Sequence, residues 1–410
     1  MDLLSLRDAP VSCQPQDNTG WNARRDLAAR ATTFAVLVSF TATVAAQSVI
    51  APYVSDDAAK PGSEEEQRVW SQSKELDEMI RKSGVIYEDA ELTAYVQGVM
   101  LRLFPEFPER IKVTLLKSPH LNAFAVADGH VYVNAGLIAR FQNEAQLATV
   151  LAHEGSHFTH RHGYRSQNSL KSNAAMATIG SMMGVVGLIP ALLATSSVYG
   201  YSRELETEAD LAGFQRLSRA GYDVREAPRA FEHLMIEVKT LDTKEPFFFA
   251  THPKLKDRFD NLSRLAVKPG AGQDGNSRMD YSRQMQKIRM ATLQNELSMG
   301  RSKSALIVLE NQDNLTMLPP EAPYILGEAY RLRGDPGDLD RADAAYRKAL
   351  TAAPDYAQTY RALGFVSMKR NQFDEARQFF NRYLEMAPEA GDRKYVESYL
   401  RMIDKKGTTP

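Results

Sequence analysis

Cysteine is almost missing from this chain: the one in 410 residues, Cys13, lies ahead of an apolar leader, so no disulfide framework can brace the fold. An oxidising compartment is tolerated by that composition without being required. An excess of either charge is missing as well. Lys and Arg number 50 against 51 Asp and Glu, and the formal charge of -1 argues against nucleic acid as a partner. Histidine is scarce, with 8 in all, so a histidine pair at a meaningful spacing stands out. Charged side chains also vanish for 31 residues between Lys171 and Arg203. What remains, 43% hydrophobic and 25% charged over a length that allows two or three domains, is ordinary for a globular protein with a sizeable core.

The first segment reads as a secretory signal spanning residues 1–46. Arg24, Arg25 and Arg30 precede an uncharged run of apolar and small residues from Ala31 to Ala46, and Val44-Ala45-Ala46 offers the small residues a signal peptidase reads. Cleavage near Ala46 is expected, and an uncleaved N-terminal anchor is the alternative. Cys13 precedes the apolar run, so it is not a lipoprotein cysteine.

Lys60 to Phe107 has helical periodicity. Ile111 to Leu116 then reads as a strand, and Ala123 to Val126 with His130 to Val133 read as two more around Ala127-Asp128-Gly129. The small sheet so formed has two readings. One is a plain hairpin; the other is an edge that holds an extended peptide by main-chain hydrogen bonds. His120 and His130 are read as ordinary loop and strand residues.

Next comes the stretch that carries chemistry, His153-Glu154-Gly155-Ser156-His157. Residues four apart share a helix face, so His153 and His157 can point at one ion while Glu154 sits beside it, the arrangement of a hydrolytic zinc site. Asn143 as N-cap and Gln146 three residues on predict the helix start, and Gly163 is placed to end it. An extended metal-binding pattern that needs Gly at 160 and His at 163 fails, because His160 and Gly163 stand there. His160 and His162 are therefore read as helix-end histidines near the negative pole of the macrodipole.

A catalytic zinc takes three protein ligands and keeps one position open, so a third donor is needed downstream. In Ser202 to Asp210, Glu206 and Asp210 fall on one helix face, suiting one carboxylate as ligand and the other as acceptor from a ligand imidazole. Spacing alone describes a solvated acidic helix as well. The uncharged run before this segment is long enough to span a membrane once. His157 and Glu206 must meet at one ion, however, and two crossings need roughly 40 residues. A folded-back hairpin or lid, in peripheral contact with a membrane or a hydrophobic substrate, is expected, with a buried helix pair as the alternative. His252, flanked by Phe247, Phe248, Phe249 and Pro253, is a further site candidate. It is read as stabilising the oxyanion, as a ligand blocking the open zinc position, or as a structural loop residue.

Four motifs, in order, carry a family resemblance. His153-Glu154-x-x-His157 and Ser202-Arg203-x-x-Glu206-x-x-Ala209-Asp210 resemble the gluzincin metalloproteases related to HtpX, the Oma-type proteases and the CAAX prenyl proteases. So do Asn122-Ala123-Phe124-Ala125 with Asn134-Ala135-Gly136-Leu137, and Thr251-His252-Pro253 with Arg258. The resemblance implies that Glu206 is the third zinc ligand, that Asp210 orients a ligand histidine, and that the strand of Ala123, Phe124, Ala125 and Val126 holds substrate. In that scheme Glu154 takes a proton from the attacking water.

Behind a linker at 269–280, a 34-residue period appears. Tyr360, Leu363, Gly364, Ala376, Phe380 and Pro388 fit the tetratricopeptide pattern, and Leu326, Gly327, Tyr330, Ala342, Tyr346, Ala349 and Pro354 fit the unit before it, with three extra residues in the Gly334 to Asp340 turn. Tyr281 to Leu309 reads as a degenerate further unit, and Tyr395 to Ile403 as a capping helix. The expected fold is α+β and mostly helical, a zincin-type metalloprotease domain at 60–268 with a small sheet, followed by an α-helical repeat domain at 281–405. An exported zinc peptidase with such repeats resembles the periplasmic members of the family that have chaperone-like activity. That resemblance, from Glu64 to Lys405, implies a periplasmic location, misfolded or misassembled outer-membrane proteins as substrates, and the barrel-assembly machinery as partner through the repeats. The reading from another class is an adaptor or chaperone that binds clients with its zinc site mostly closed.

Overall fold

The computed structural model describes residues 50–167, 201–241, 255–266, 277–311 and 318–407. The leader with Cys13, the uncharged run up to residue 200 and His252 lie outside the described residues. Among those described, no helix is long and apolar enough to cross a membrane.

The chain opens with two well-capped helices. In α1 (Glu64–Lys82) the Ser63 hydroxyl accepts from the Glu66 amide, with three glutamates in the first turn and Arg81 and Lys82 in the last. Both ends therefore complement the helix dipole. In α2 (Ala90–Leu103) Asp89 caps the Leu92 amide. The sheet follows as β1 (Lys112–Leu116), β2 (Ala123–Ala125) and β3 (His130–Asn134). β3 is central, parallel to β1 with Lys112 opposite His130 and antiparallel to β2 with Phe124 opposite Tyr132. The order β1-β3-β2 leaves β2 on an edge.

A short α3 (Ala135–Arg140) leads into α4 (Glu144–Thr159), where Asn143 accepts from the Gln146 amide at 3.0 Å as the sequence predicts. Every residue of α4 is buried, so the helix runs through the core rather than over it. Its end corrects the sequence reading. α4 stops at Thr159, Arg161 turns left-handed with φ 59°, and Gly163 lies inside a second helix, α5 (His162–Gln167).

Then come α6 (Arg203–Arg219), α7 (Glu226–Leu241), α8 (Leu255–Ala266) and α9 (Ser277–Ser298). The first turn of α9 falls inside the stretch read as linker. α9 serves two cores: Tyr281, Met285 and Ile288 pack with the sheet and α4, whereas Leu293 and Leu297 pack with the helices that follow. Those are α10 (Ser302–Leu309), α11 (Ala322–Arg333), α12 (Asp338–Ala352), α13 (Ala357–Lys369), α14 (Phe373–Met386) and α15 (Arg393–Gly407). Within the pairs α11/α12 and α13/α14, Gly327 lies under the Tyr346 ring and Gly364 under the Phe380 ring, the contacts that the repeat pattern encodes. The fold is thus α+β and mostly helical, as the sequence reading expects.

Candidate metal centre

The site is built from α4 and α6. Four residues apart on α4, His153 and His157 bring their Nε2 atoms to 3.0 Å of each other. α6 approaches closely because it carries Gly213, where a Cβ would stand 3.1 Å from the His153 backbone nitrogen. That approach delivers Glu206, whose two carboxylate oxygens each lie 3.5 Å from one of the Nε2 atoms. All three residues are buried, and their ligand atoms lie within 4.8 Å of one another. Among the described residues this is the one group of three His, Cys, Asp or Glu side chains so placed.

The donor set fits a divalent cation on two counts. Donors each about 2.1 Å from a tetrahedral zinc stand about 3.4 Å apart, close to the separations here. Charge fits as well, since Glu206, Asp210 and Glu154 surround the single guanidinium of Arg258, leaving two negative charges to be balanced.

Each histidine is held from behind, by different chemistry. The Nδ1 of His153 is 3.0 Å from Asp210 Oδ1. Arg258 from α8 in turn clasps Asp210, donating from Nε at 3.1 and 3.0 Å and from Nη2 at 2.6 Å, and stacks on Phe231. Burial opposes charge on both members of the pair. Even so, Arg258 and His153 hold the Asp210 carboxyl below its usual range, and Asp210 and Glu206 push the His153 imidazole up to about 9 against the effects of burial and Arg258. Behind His157 stands another imidazole: its Nδ1 is 2.9 Å from His162 Nδ1, and Tyr201 stacks on its ring at 3.9 Å. Burial, then Arg165, pushes His162 down to about 3, so it is neutral.

Glu154, fully buried, accepts from the Ala125 amide at 3.0 Å. That amide points away from β3, so Glu154 and the outer edge of β2 share one space. Ala123 is buried, Phe124 stacks on Tyr132 at 4.9 Å, and Val126 closes the hairpin by donating to the His130 carbonyl.

The structure therefore brings His153, Glu154, His157, Glu206, Asp210 and the strand from Ala123 to Val126 together. His252 lies outside the described residues. His160 is the helix-end histidine expected, its Nδ1 3.0 Å from the Ser156 carbonyl. His162 is not: it sits buried against His157, and no helical spacing announces that contact. Arg258 stood in a motif without a role, and only the packing of α8 against α6 gives it one.

Comparison with known proteins finds a peptidase domain followed by repeats. Residues 87–266 match the model of peptidase family M48, and residues 335–396 match a tetratricopeptide repeat model. A Vibrio cholerae relative is 29% identical over 269 residues, 57% of this chain and 54% of that one. The beta-barrel assembly-enhancing protease of Escherichia coli K12 is 29% identical over 203 residues, 46% of this chain and 41% of its own. The mitochondrial metalloendopeptidase OMA1 of Arabidopsis thaliana is 30% identical over 156 residues, 38% and 32% of the two chains. The chain thus spans about half, or less, of the length of the curated relatives it matches.

Proposed function

We propose, from a chain that carries a peptidase family M48 domain followed by tetratricopeptide repeats, that this metalloprotease is a zinc-dependent endopeptidase of the gluzincin type. Its catalytic part is residues 60–268 and its repeat part residues 281–405. His153, His157 and Glu206 hold the ion, and Asp210 orients His153. Bound there, zinc supplies a Lewis acid that acidifies water and polarises a carbonyl.

The residues of the chain do the rest. An extended substrate adds to the edge of β2, with side chains alternating over the site. Glu154 releases the Ala125 amide to that peptide, takes a proton from the attacking water and passes it to the leaving nitrogen. The repeats bind client or partner polypeptide. Because the relatives include a beta-barrel assembly-enhancing protease, the substrates we assign are misassembled outer-membrane proteins in the periplasm, with the barrel-assembly machinery as partner.

The observation that carries this reading is the convergence of three buried donors within 4.8 Å beside the buried Glu154. Glu154→Gln is expected to keep one zinc by elemental analysis and to lower casein hydrolysis by at least ~10³-fold. A variant that still cleaved casein at the wild-type rate would sink the assignment.

A further inference from the structure

Five residues along a helix turn a side chain by about 140°, so a continuous α4 would carry His162 away from His157. Contact is made because the helix is broken between them. The break has its own fittings. Arg161 adopts φ 59°, a conformation unfavourable by roughly 1–2 kcal/mol for a residue with a Cβ. A segment about a hundred residues earlier holds it there. Glu66 accepts from Arg161 Nε at 2.9 Å, from the Tyr53 hydroxyl at 2.7 Å and from the Gly62 amide at 2.6 Å. The Tyr53 amide donates to the Thr159 carbonyl at 2.8 Å, and the Arg161 guanidinium lies 5.1 Å over the Tyr53 ring.

The result is a chain of groups with one consistent set of protons. If His157 presents its Nε2 lone pair to a cation, its proton sits on Nδ1, within hydrogen-bond distance of the Nδ1 lone pair of His162 at 2.9 Å. His162 then carries its proton on Nε2, which faces Glu208 Oε2 at 3.4 Å, and Glu208 is paired with Arg165 at 2.9 Å.

We infer that His162 is a positioning residue for the metal centre, fixing the ring and tautomer of His157 through an imidazole–imidazole hydrogen bond, and that the Glu66–Arg161 clamp places it there. The inference rests on the zinc reading of the site. Ligand imidazoles are ordinarily backed by a carboxylate or carbonyl, and losing such a partner weakens metal binding about 10–100-fold. Here a second imidazole takes that place on one ligand, while Asp210 takes it on the other.

The test is zinc affinity of the full chain, measured by competition with a chromophoric chelator and independent of peptidase rate. His162→Leu removes the acceptor and is expected to raise the zinc Kd 10–100-fold. His162→Asn, whose amide oxygen can accept from His157, should recover most of that loss. His160→Ala, on the same turn but facing Ser156, should leave Kd within about twofold. The cobalt-substituted His162→Leu protein should also show a shifted visible spectrum. Equal affinity of His162→Leu and wild type would overturn the inference, as would an equal loss in His160→Ala. Folding does not limit the test, because ¹⁵N-histidine spectra of wild type read the tautomers directly. His162 protonated on Nε2 supports the inference, and His162 protonated on Nδ1 overturns it. A wild type that takes up no zinc removes the proposed function itself, and this inference with it.

Discussion

Two regions of this molecule use the same material, packed α-helices, in opposite ways. On one face of α4 the interior is polar: His153, Glu154, His157, Glu206, Asp210 and Arg258 are all buried, and Asp210 and His162 lie behind the two histidines. In the repeats the interior is apolar and local. α14 buries Ala376, Phe380 and Tyr383 along one stripe, and Phe380 sits on Gly364 of the helix before it. The first region depends on partners far apart in sequence and pays desolvation to position charges. The second depends on neighbours within about 34 residues and gains from shape. A chemical site therefore rests on the part of the fold least able to lose a single group.

The largest effect should come from breaking the polar region where it meets the repeats. Arg140 of α3 is buried and donates to Glu237 of α7 at 2.8 Å, to Glu296 of α9 at 2.7 Å and to the Ser304 hydroxyl of α10 at 2.6 Å. Burial pushes the Glu296 carboxyl up even with Arg140 beside it. Arg140→Met leaves Glu296 buried without its cation and Glu237 with only Arg301 at 3.4 Å, and should cost about 3–5 kcal/mol in urea unfolding. Replacing Glu237 and Glu296 by apolar residues as well should return much of it. A loss below about 1 kcal/mol for Arg140→Met would show that the joint is not what ties the two regions together.

A pH titration separates the regions without mutation, because the repeats contain no histidine. In metal-free protein the His153 pKa is raised to about 9 from 6.5, so the fold binds its proton more tightly than the unfolded chain does. That stabilisation is complete below pH 6.5 and is lost as pH rises through about 9, a change on the order of 3 kcal/mol. His130, raised by its Asp128 partner, adds in the same direction. Bound zinc replaces the His153 proton, so zinc-loaded protein should lose much of the slope and zinc affinity should rise across the same window. Urea unfolding of chelator-treated and zinc-loaded protein at pH 6.5 and 9 checks this. A metal-free protein as stable at pH 9 as at 6.5 would mean that Asp210 and Glu206 do not hold a charged His153.

The contrast also explains what the sequence could tell. Repeat helices, the sheet, the Asn143 cap and the His153/His157 pair are written in local spacing, and each is found where the pattern puts it. By spacing alone, Glu206 and Asp210 are legible as a shared face that a solvated acidic helix would also show, and it is the close approach at Gly213 that brings α6 against α4. His162 was misplaced for a related reason. Gly163 looked like the helix stop, whereas the actual stop is set by Glu66 and Tyr53, about a hundred residues away, acting on Arg161. Arg258 likewise acquires meaning only when α8 packs on α6. Local rules read elements and the first ligands; the groups that hold those ligands come from tertiary packing, which no short window contains.

The smallest effect should be found in the repeats, and its confinement is the point. A Cβ at Gly364 would lie 2.5 Å from the Phe380 ring, and one at Gly327 would lie 2.4 Å from the Tyr346 ring. Helix propensity favours alanine over glycine by about 1 kcal/mol, so the sign depends on whether the ring can move. At Gly364 it cannot move freely: Phe380 is fully buried and packed against Phe365 at 5.1 Å and Tyr399 at 6.1 Å. Overpacking of this kind costs typically about 1–3 kcal/mol, so Gly364→Ala should be destabilised by up to about 2 kcal/mol after the propensity gain. Phe380→Leu in the same chain should relieve part of the clash. Zinc affinity should stay at the wild-type value, since His162, Asp210 and Arg258, seen behind His153 and His157, come from α5, α6 and α8. A loss of zinc affinity in Gly364→Ala would show instead that repeat packing reaches the metal centre through α9, making the two regions one cooperative unit.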